Sequence, residues 1–410
     1  MSLSTVPLLL ALAGLALYAV LGGADFGAGF WQLAAGRGER GAAVREHAHD
    51  AMAPVWEANH VWLVFVLVVM WTSYPEAFAS IASTLAIPLF IAAIGIIFRG
   101  TAYALRAGTS RIGELRAVDT VFGISSVLTP FALGTVVGAI AAGRVPVGNA
   151  AGGAWSSWTS GLSLAVGALA VATGAYLAAV YLAADAARRG DASLERAFRV
   201  RALVAAVVGG AAAAGGLVAL HADARSLYEE LVRGAGLPAL VVSVVAGLGT
   251  LWLVWVRRYE AARYSAALAV AAVVVGWALA QQPELLPGLT VSQAAASRDT
   301  LIAVVVAVGA GALVLAPSLA LLFTLTLRGR LGYEDGEPPA APSVVRTLAA
   351  ARTGLLARVA GACLIVAVGF LTLADAGWAH AIGVVALLAC VAVGFRAAVP
   401  TDIEDAEGGP

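Results

Sequence analysis

The densest collection of chemically capable side chains lies at residues 54–62, PVWEANHVW. A carboxylate (Glu57), an amide (Asn59), an imidazole (His60) and two indoles (Trp56 and Trp62) stand together, and the apolar run LVFVLVVMW follows them. Glu57 and His60 are three positions apart, so on a helix they can share a face, with Trp56, Asn59 and His60 as a neighbouring stripe. An acid and an imidazole so placed could pass protons, the imidazole serving as hydrogen-bond neighbour to the carboxylate. A plainer reading is also open. An acid near a helix N-terminus is favoured by the helix dipole, and tryptophans at the end of an apolar run sit at a membrane interface.

A second carboxylate, Asp25, stands in LYAVLGGADFGAGFW, among glycines 22, 23, 27 and 29 that clear space for a neighbouring helix or a cofactor edge. It reads either as a helix-packing stretch with an acid near one boundary or as a proton-relay group facing the bundle interior. Charges inside membrane segments are costly, which makes function the first hypothesis. A third cluster runs from IIFRGTAYALR, with Arg99, Tyr103 and Arg106, through Asp119 to SSVLTPFALGTVVG. There, snorkelling of charges at helix ends explains them structurally, and Pro130 is expected to kink its helix. Of five histidines, none has a partner on a facing helix at the spacing that bis-histidine haem ligation needs. Cys363 and Cys390 lie in apolar runs with no CxxC, so no disulfide framework or zinc site is expected. No Walker A loop, dinucleotide fingerprint or HExxH appears, which leaves ATP-driven transport and zinc proteolysis without a foothold.

The elements that must hold these groups are membrane helices. The 410 residues are 61% hydrophobic and 12% charged, far from soluble composition. Apolar runs repeatedly exceed the length that crosses about 30 Å of hydrocarbon, and their pattern is not that of an outer-membrane barrel. The first apolar run lacks a basic leader and a small-residue cleavage site, so a retained helix is expected rather than a signal peptide. Zero net charge gives no support to nucleic acid as a partner.

Eleven spans are expected: 4–34, 55–72, 77–98, 117–142, 161–184, 201–221, 238–256, 264–282, 300–327, 355–374 and 378–395. All 25 basic residues are arginine; 21 fall after odd-numbered spans or in the tail, and 4 after even-numbered ones. By the positive-inside rule the N-terminus is then outside and the C-terminus cytoplasmic, with Glu57 and Asp25 toward the cytoplasmic leaflet. Four parts are expected: a nine-helix membrane domain (1–330), a Pro-rich cytoplasmic linker (331–354), two further helices (355–397) and an acidic tail (398–410).

The stretches GGADFGAGFW, PVWEANHVWLV, PEAFASIASTLAIPLFIAAIGIIFRGTAYALR, RAVDTVFGISSVLTPFALGTVVGA and AAASRDTLIAVV resemble subunit II of the cytochrome bd quinol oxidases, including the cyanide-insensitive branch. The resemblance covers the first four spans closely and the fifth to ninth loosely. It implies an all-α protein of two four-helix bundles with peripheral helices, in the bacterial cytoplasmic membrane. It also implies a partner, subunit I, that carries haems b and d and the quinol site. The resemblance also leaves room for small accessory membrane subunits as further partners. This chain would ligate no cofactor itself, support the haem-bearing partner and contribute a cytoplasmic proton path. Carried over by motif, Glu57 takes the acidic position of W-[DE]-x-N and Asp25 the second acid of D-G-F-D-x-G. Trp56, Asn59 and Trp62 fall near the partner's haems without ligating them. Arg99, Asp119 and Pro130 are structural. This sequence departs from the pattern in three places: Gly22 stands where the family's first acid is common, position 57 is Glu rather than Asp, and the last two spans exceed the usual nine. From the residues alone, a proton-coupled secondary transporter remains the rival, with the same two acids as coupling groups.

Overall fold

The computed structural model describes residues 2–36, 38–52, 56–106, 112–327, 355–372 and 377–398. The predicted linker 331–354 and residues 399–410 of the tail lie outside them. Helices account for nearly all of the described chain: α1 (Leu3–Leu33), α2 (Glu39–Met52), α3 (Trp56–Ser73), α4 (Pro75–Thr84), α5 (Ala86–Arg106), α6 (Ile112–Ala141), α7 (Gly161–Arg188), α8 (Ala192–Asp223), α9 (Arg225–Val232), α10 (Leu237–Trp255) and α11 (Tyr259–Gln281). A two-stranded hairpin of β1 (Glu284–Leu286) and β2 (Leu289–Thr290) follows, then α12 (Val291–Ala294), α13 (Arg298–Leu327), α14 (Leu355–Thr372) and α15 (Gly377–Ala398). Among the described residues, seven helices are long and apolar enough to cross a membrane: α1, α5, α6, α7, α8, α10 and α11. The chain is a predominantly helical, multi-pass membrane protein.

The boundaries differ from the sequence expectation where local chemistry decides them. The loop expected after the first span contains a helix, α2, because Val44 and Ala48 recur at helical spacing and are buried in the core. The third expected span is divided. Pro88 has no N–H for the carbonyl of Thr84, so α4 stops at Thr84 and α5 begins at Ala86. α8 starts nine residues earlier than expected, at Ala192, since the Asp191 side chain accepts from the backbone N–H groups of Ser193 and Leu194. At the start of α13 the Ser297 hydroxyl accepts from Thr300 N at 3.4 Å.

The chain forms two compact units, Met1–Val314 and Leu315–Pro410. In the first, α1 packs on α3, α6 and α7, α6 on α5 and α7, α7 on α8 and α11, and α10 on α11. Small residues permit the closest approaches. A Cβ built on Gly27 would overlap the Gly174 carbonyl, and one on Gly174 would lie 2.8 Å from the Gly23 carbonyl oxygen. Close backbone packing of this kind replaces the hydrophobic effect as the glue between helices in lipid. In the second unit, α14 and α15 pair with each other, with the Phe370 and Trp378 rings edge to face at 6.5 Å.

Candidate functional site

Asp25 lies on α1 just after a π-helical turn, Tyr18–Gly22. Its side chain is fully buried. Such a charge is tolerated only with a partner, and the partner is Arg99 on α5, whose Nη2 donates to Asp25 Oδ1 at 2.5 Å and to the Asp25 carbonyl at 3.0 Å. Arg99 is itself 1% exposed, so it does not snorkel as its predicted place at a helix end implied. α5 continues to Arg106, which carries Arg99 into the packed interior. Three further groups hold the guanidinium. Nη1 donates to the Ser126 hydroxyl, and that hydroxyl donates to the Phe122 carbonyl at 2.6 Å. The Phe26 ring lies 4.8 Å from the guanidinium carbon and the Phe122 ring 4.4 Å. A planar, weakly hydrated cation stacks in this way where an ammonium would not. Pro130, one turn beyond Ser126, has no N–H for the Ser126 carbonyl.

The ion pair uses only half of the fork that arginine can offer a carboxylate. Asp25 Oδ2 and Arg99 Nε are both buried with no hydrogen-bond partner among the described residues. Asp25 is therefore charge-compensated, yet keeps one oxygen with unused acceptor capacity.

α3 brings the PVWEANHVW residues to the same region. Asn59 is buried and its Nδ2 donates to the Leu21 carbonyl at 3.3 Å, so α3 is tied to the π turn beside Asp25. The His60 ring packs edge-on to Tyr18 at 6.3 Å and to Phe26 at 5.9 Å. Trp62 is half-buried. Trp56 and Glu57 are in the first turn of α3, and their side chains lie outside the described residues. Gly22, where the resemblance puts an acid, is buried, and a Cβ there would come within 2.9 Å of the Tyr18 ring.

A second polar group lies at the end of α5. Arg106 pairs with Asp119 of α6 at 2.7 Å and with Glu46 of α2 at 3.3 Å. On α2, the His49 ring packs on Tyr103 at 5.5 Å. Partial burial, and then the Arg106 charge, hold the His49 imidazole below its usual range. His47, two residues earlier and so on the opposite face of α2, is buried, and its Nε2 lies 3.1 Å from the Leu182 carbonyl of α7. α2 thus spans from α5 to α7. Among the described residues, no three His, Cys, Asp or Glu side chains gather as metal ligands.

The structure brings together Asp25, Arg99, Asn59 and His60, and separately Arg106 with Asp119. Sequence reasoning missed the Asp25–Arg99 partnership and the membership of Tyr18, Phe26, Phe122 and Ser126. One signal was available: a buried acid in the first span requires a buried cation, and Arg99 interrupts the apolar stretch AIPLFIAAIGIIFRGTAYAL rather than closing it.

The family model described as cytochrome bd terminal oxidase subunit II matches residues 3–326. A cytochrome bd ubiquinol oxidase subunit 2 from Bacillus subtilis is 28% identical over 116 residues, which span 28% of this chain and 33% of that relative. The solved structure of bd oxidase from Geobacillus thermodenitrificans superposes with a TM-score of 0.62 at 26% identity, covering 80% of this chain and 99% of the other. α14 and α15 lie beyond the family match.

Proposed function

Since the chain belongs to the cytochrome bd terminal oxidase subunit II family, we propose that it is the non-haem subunit of an oxidase that couples quinol oxidation to reduction of dioxygen to water. In this reading it sits in the bacterial cytoplasmic membrane with its N-terminus outside and C-terminus inside. Its partner is subunit I, which carries haems b and d and the quinol site, with small accessory membrane subunits as further neighbours. The haems, bound in that partner, supply electron transfer and oxygen chemistry. This chain's own contribution is to support the partner and to move protons inward from the cytoplasmic side.

The observation that carries the proton role is the fully buried carboxylate of Asp25, whose Oδ2 has no hydrogen-bond partner among the described residues. Glu57 opens α3 one turn before His60, and Asn59 ties that turn to the backbone just before Asp25. Protons collected near α2 would pass to Glu57 and on toward Asp25, with His60 as hydrogen-bond neighbour. Arg99 supplies a fixed positive charge, so Asp25 can hold or release a proton without leaving an isolated anion in the interior. Trp56, Asn59 and Trp62 are the α3 residues that the family motif puts near the partner's haems. Asp119, paired with Arg106, anchors α5 to α6, and Pro130 frees a carbonyl beside Ser126. The nine-helix part, 1–330, would form the oxidase half proper. The segments 331–354, 355–397 and 398–410 would be an appended linker, helix pair and tail.

Purification of the tagged chain from its native membrane tests the assembly. A haem-rich complex that oxidises quinol and consumes oxygen is expected. A haem-free homo-oligomer contradicts the reading and returns the acids to a transporter.

A further inference from the structure

We propose that Tyr18 is a proton-relaying residue of this site, its hydroxyl carrying protons between the His60 side and the free oxygen of Asp25. The inference rests on the proton path of the preceding section and adds a residue to it.

Four observations lead to it. The Tyr18 hydroxyl is buried and has no hydrogen-bond partner among the described residues, in a side chain only 7% exposed. An unsatisfied buried hydroxyl is expensive, so its retention calls for a use or a further partner. The Tyr18 ring also packs edge-on to Phe26 at 6.4 Å, the residue that follows Asp25 and carries the Arg99 guanidinium 4.8 Å from its ring, and Asp25 and Arg99 both present unused polar atoms, Oδ2 and Nε. The ring meets His60 edge-on at 6.3 Å, so the phenol is in contact with the α3 residues. Finally, the local backbone is built around the ring. The π turn Tyr18–Gly22 brings Gly22 directly beneath it, and any Cβ at 22 would press on the ring at 2.9 Å. π turns within α-helices are uncommon and gather at functional sites. The space that a side chain at 22 would need is filled by a phenol reaching from 18.

The chemistry balances without a co-reactant. The phenol oxygen takes a proton from a donor on the α3 side as its own O–H proton passes to Asp25 Oδ2 through a bridging water, which gives up one proton as it takes the other. Tyrosine is left neutral, and Asp25 becomes protonated beside Arg99. Rotation of the hydroxyl resets the relay.

The test uses the assembled complex. Tyr18→Phe keeps the ring that fills the space over Gly22, so haem content should match wild type. Turnover should fall by about tenfold, less than the roughly 10²–10⁴ that a positioned proton-transfer group contributes, since other steps share the rate limit. The ratio of rates in H2O and D2O should rise. Glu57→Gln is measured beside it. If Glu57→Gln slows turnover while Tyr18→Phe equals wild type in rate and isotope ratio, the assignment of Tyr18 is overturned and the path stands. If neither variant slows turnover, the path itself fails and Tyr18 with it. Should Tyr18→Phe fail to assemble, a fluorinated tyrosine at 18 keeps size and hydroxyl but makes the phenol more acidic. A displaced pH–rate profile then supports the relay, and a profile identical to wild type overturns it.

Discussion

Arg99 Nη2 lies 2.5 Å from Asp25 Oδ1, and neither side chain is more than 1% exposed. The two residues are 74 positions apart, on helices α5 and α1. Burying an ion pair gains little net stability, but removing one member leaves a charge with no compensation, at a cost of about 3–5 kcal/mol. Asp25→Asn and Arg99→Met should therefore each lower the thermal unfolding midpoint of the purified protein strongly. The combined Asp25→Asn/Arg99→Met protein should be less damaged than the two effects added together. A double-mutant cycle in detergent measures this, with a coupling of about 0.5–3 kcal/mol expected for residues in direct contact. Strict additivity would mean that the two charges do not depend on each other.

The approach of α1 to α7 gives a second prediction. A side chain at Gly27 would run into the Gly174 carbonyl, whereas Gly210 on α8 has nothing within 4 Å of a built Cβ. Gly27→Val should reduce accumulation of folded protein in the membrane, consistent with an overpacking cost of about 1–3 kcal/mol or more. Gly210→Val should accumulate as wild type does. Quantification of both by fluorescence-detected size exclusion separates the cases, and equal behaviour would contradict the packing described.

His49 gives a pH dependence with a definite sign. Its imidazole is held below the ordinary value of 6.5 by burial and by Arg106. The groups that face it are Glu46 and Asp50 on its own helix, Tyr103 and Arg106 on α5, and Asp119 on α6. A histidine with a lowered folded value binds fewer protons folded than unfolded, so unfolding takes up protons. Stability is then complete above pH 6.5 and declines as pH falls from there toward the folded value. His49 is about half-buried, so solvent screening keeps the effect small. Thermal midpoints from pH 7.5 down to 5.5 should show wild type losing more than His49→Gln. Parallel curves would remove His49 as the cause.

Much of the fold was legible because lipid imposes one strong rule: apolar helices long enough to cross. A helix lies over each of the eleven expected segments. What escaped was set by local chemistry that hydropathy does not register. α2 was hidden because its sequence, ERGAAVREHAHDAM, is polar in bulk and apolar only at positions such as Val44 and Ala48. The break at Leu85 depends on one missing N–H at Pro88. At the site, Asp25 stood out as an intramembrane charge, and Asn59 and His60 as polar groups on α3. Arg99 was misplaced because its apolar span was expected to end at 98, while α5 runs on to Arg106. Tyr18 gave no signal, since a tyrosine in an apolar run looks like packing until the ring is found over Gly22.

The proton role is tested most directly by Glu57→Gln in the assembled oxidase, with quinol-driven oxygen consumption and haem content measured on the same sample. Glutamine keeps the size of the side chain but cannot carry a proton at neutral pH. Full haem content with oxygen consumption reduced by roughly 10²-fold or more is the expected result for loss of a positioned proton carrier. Full haem content with wild-type oxygen consumption would contradict it.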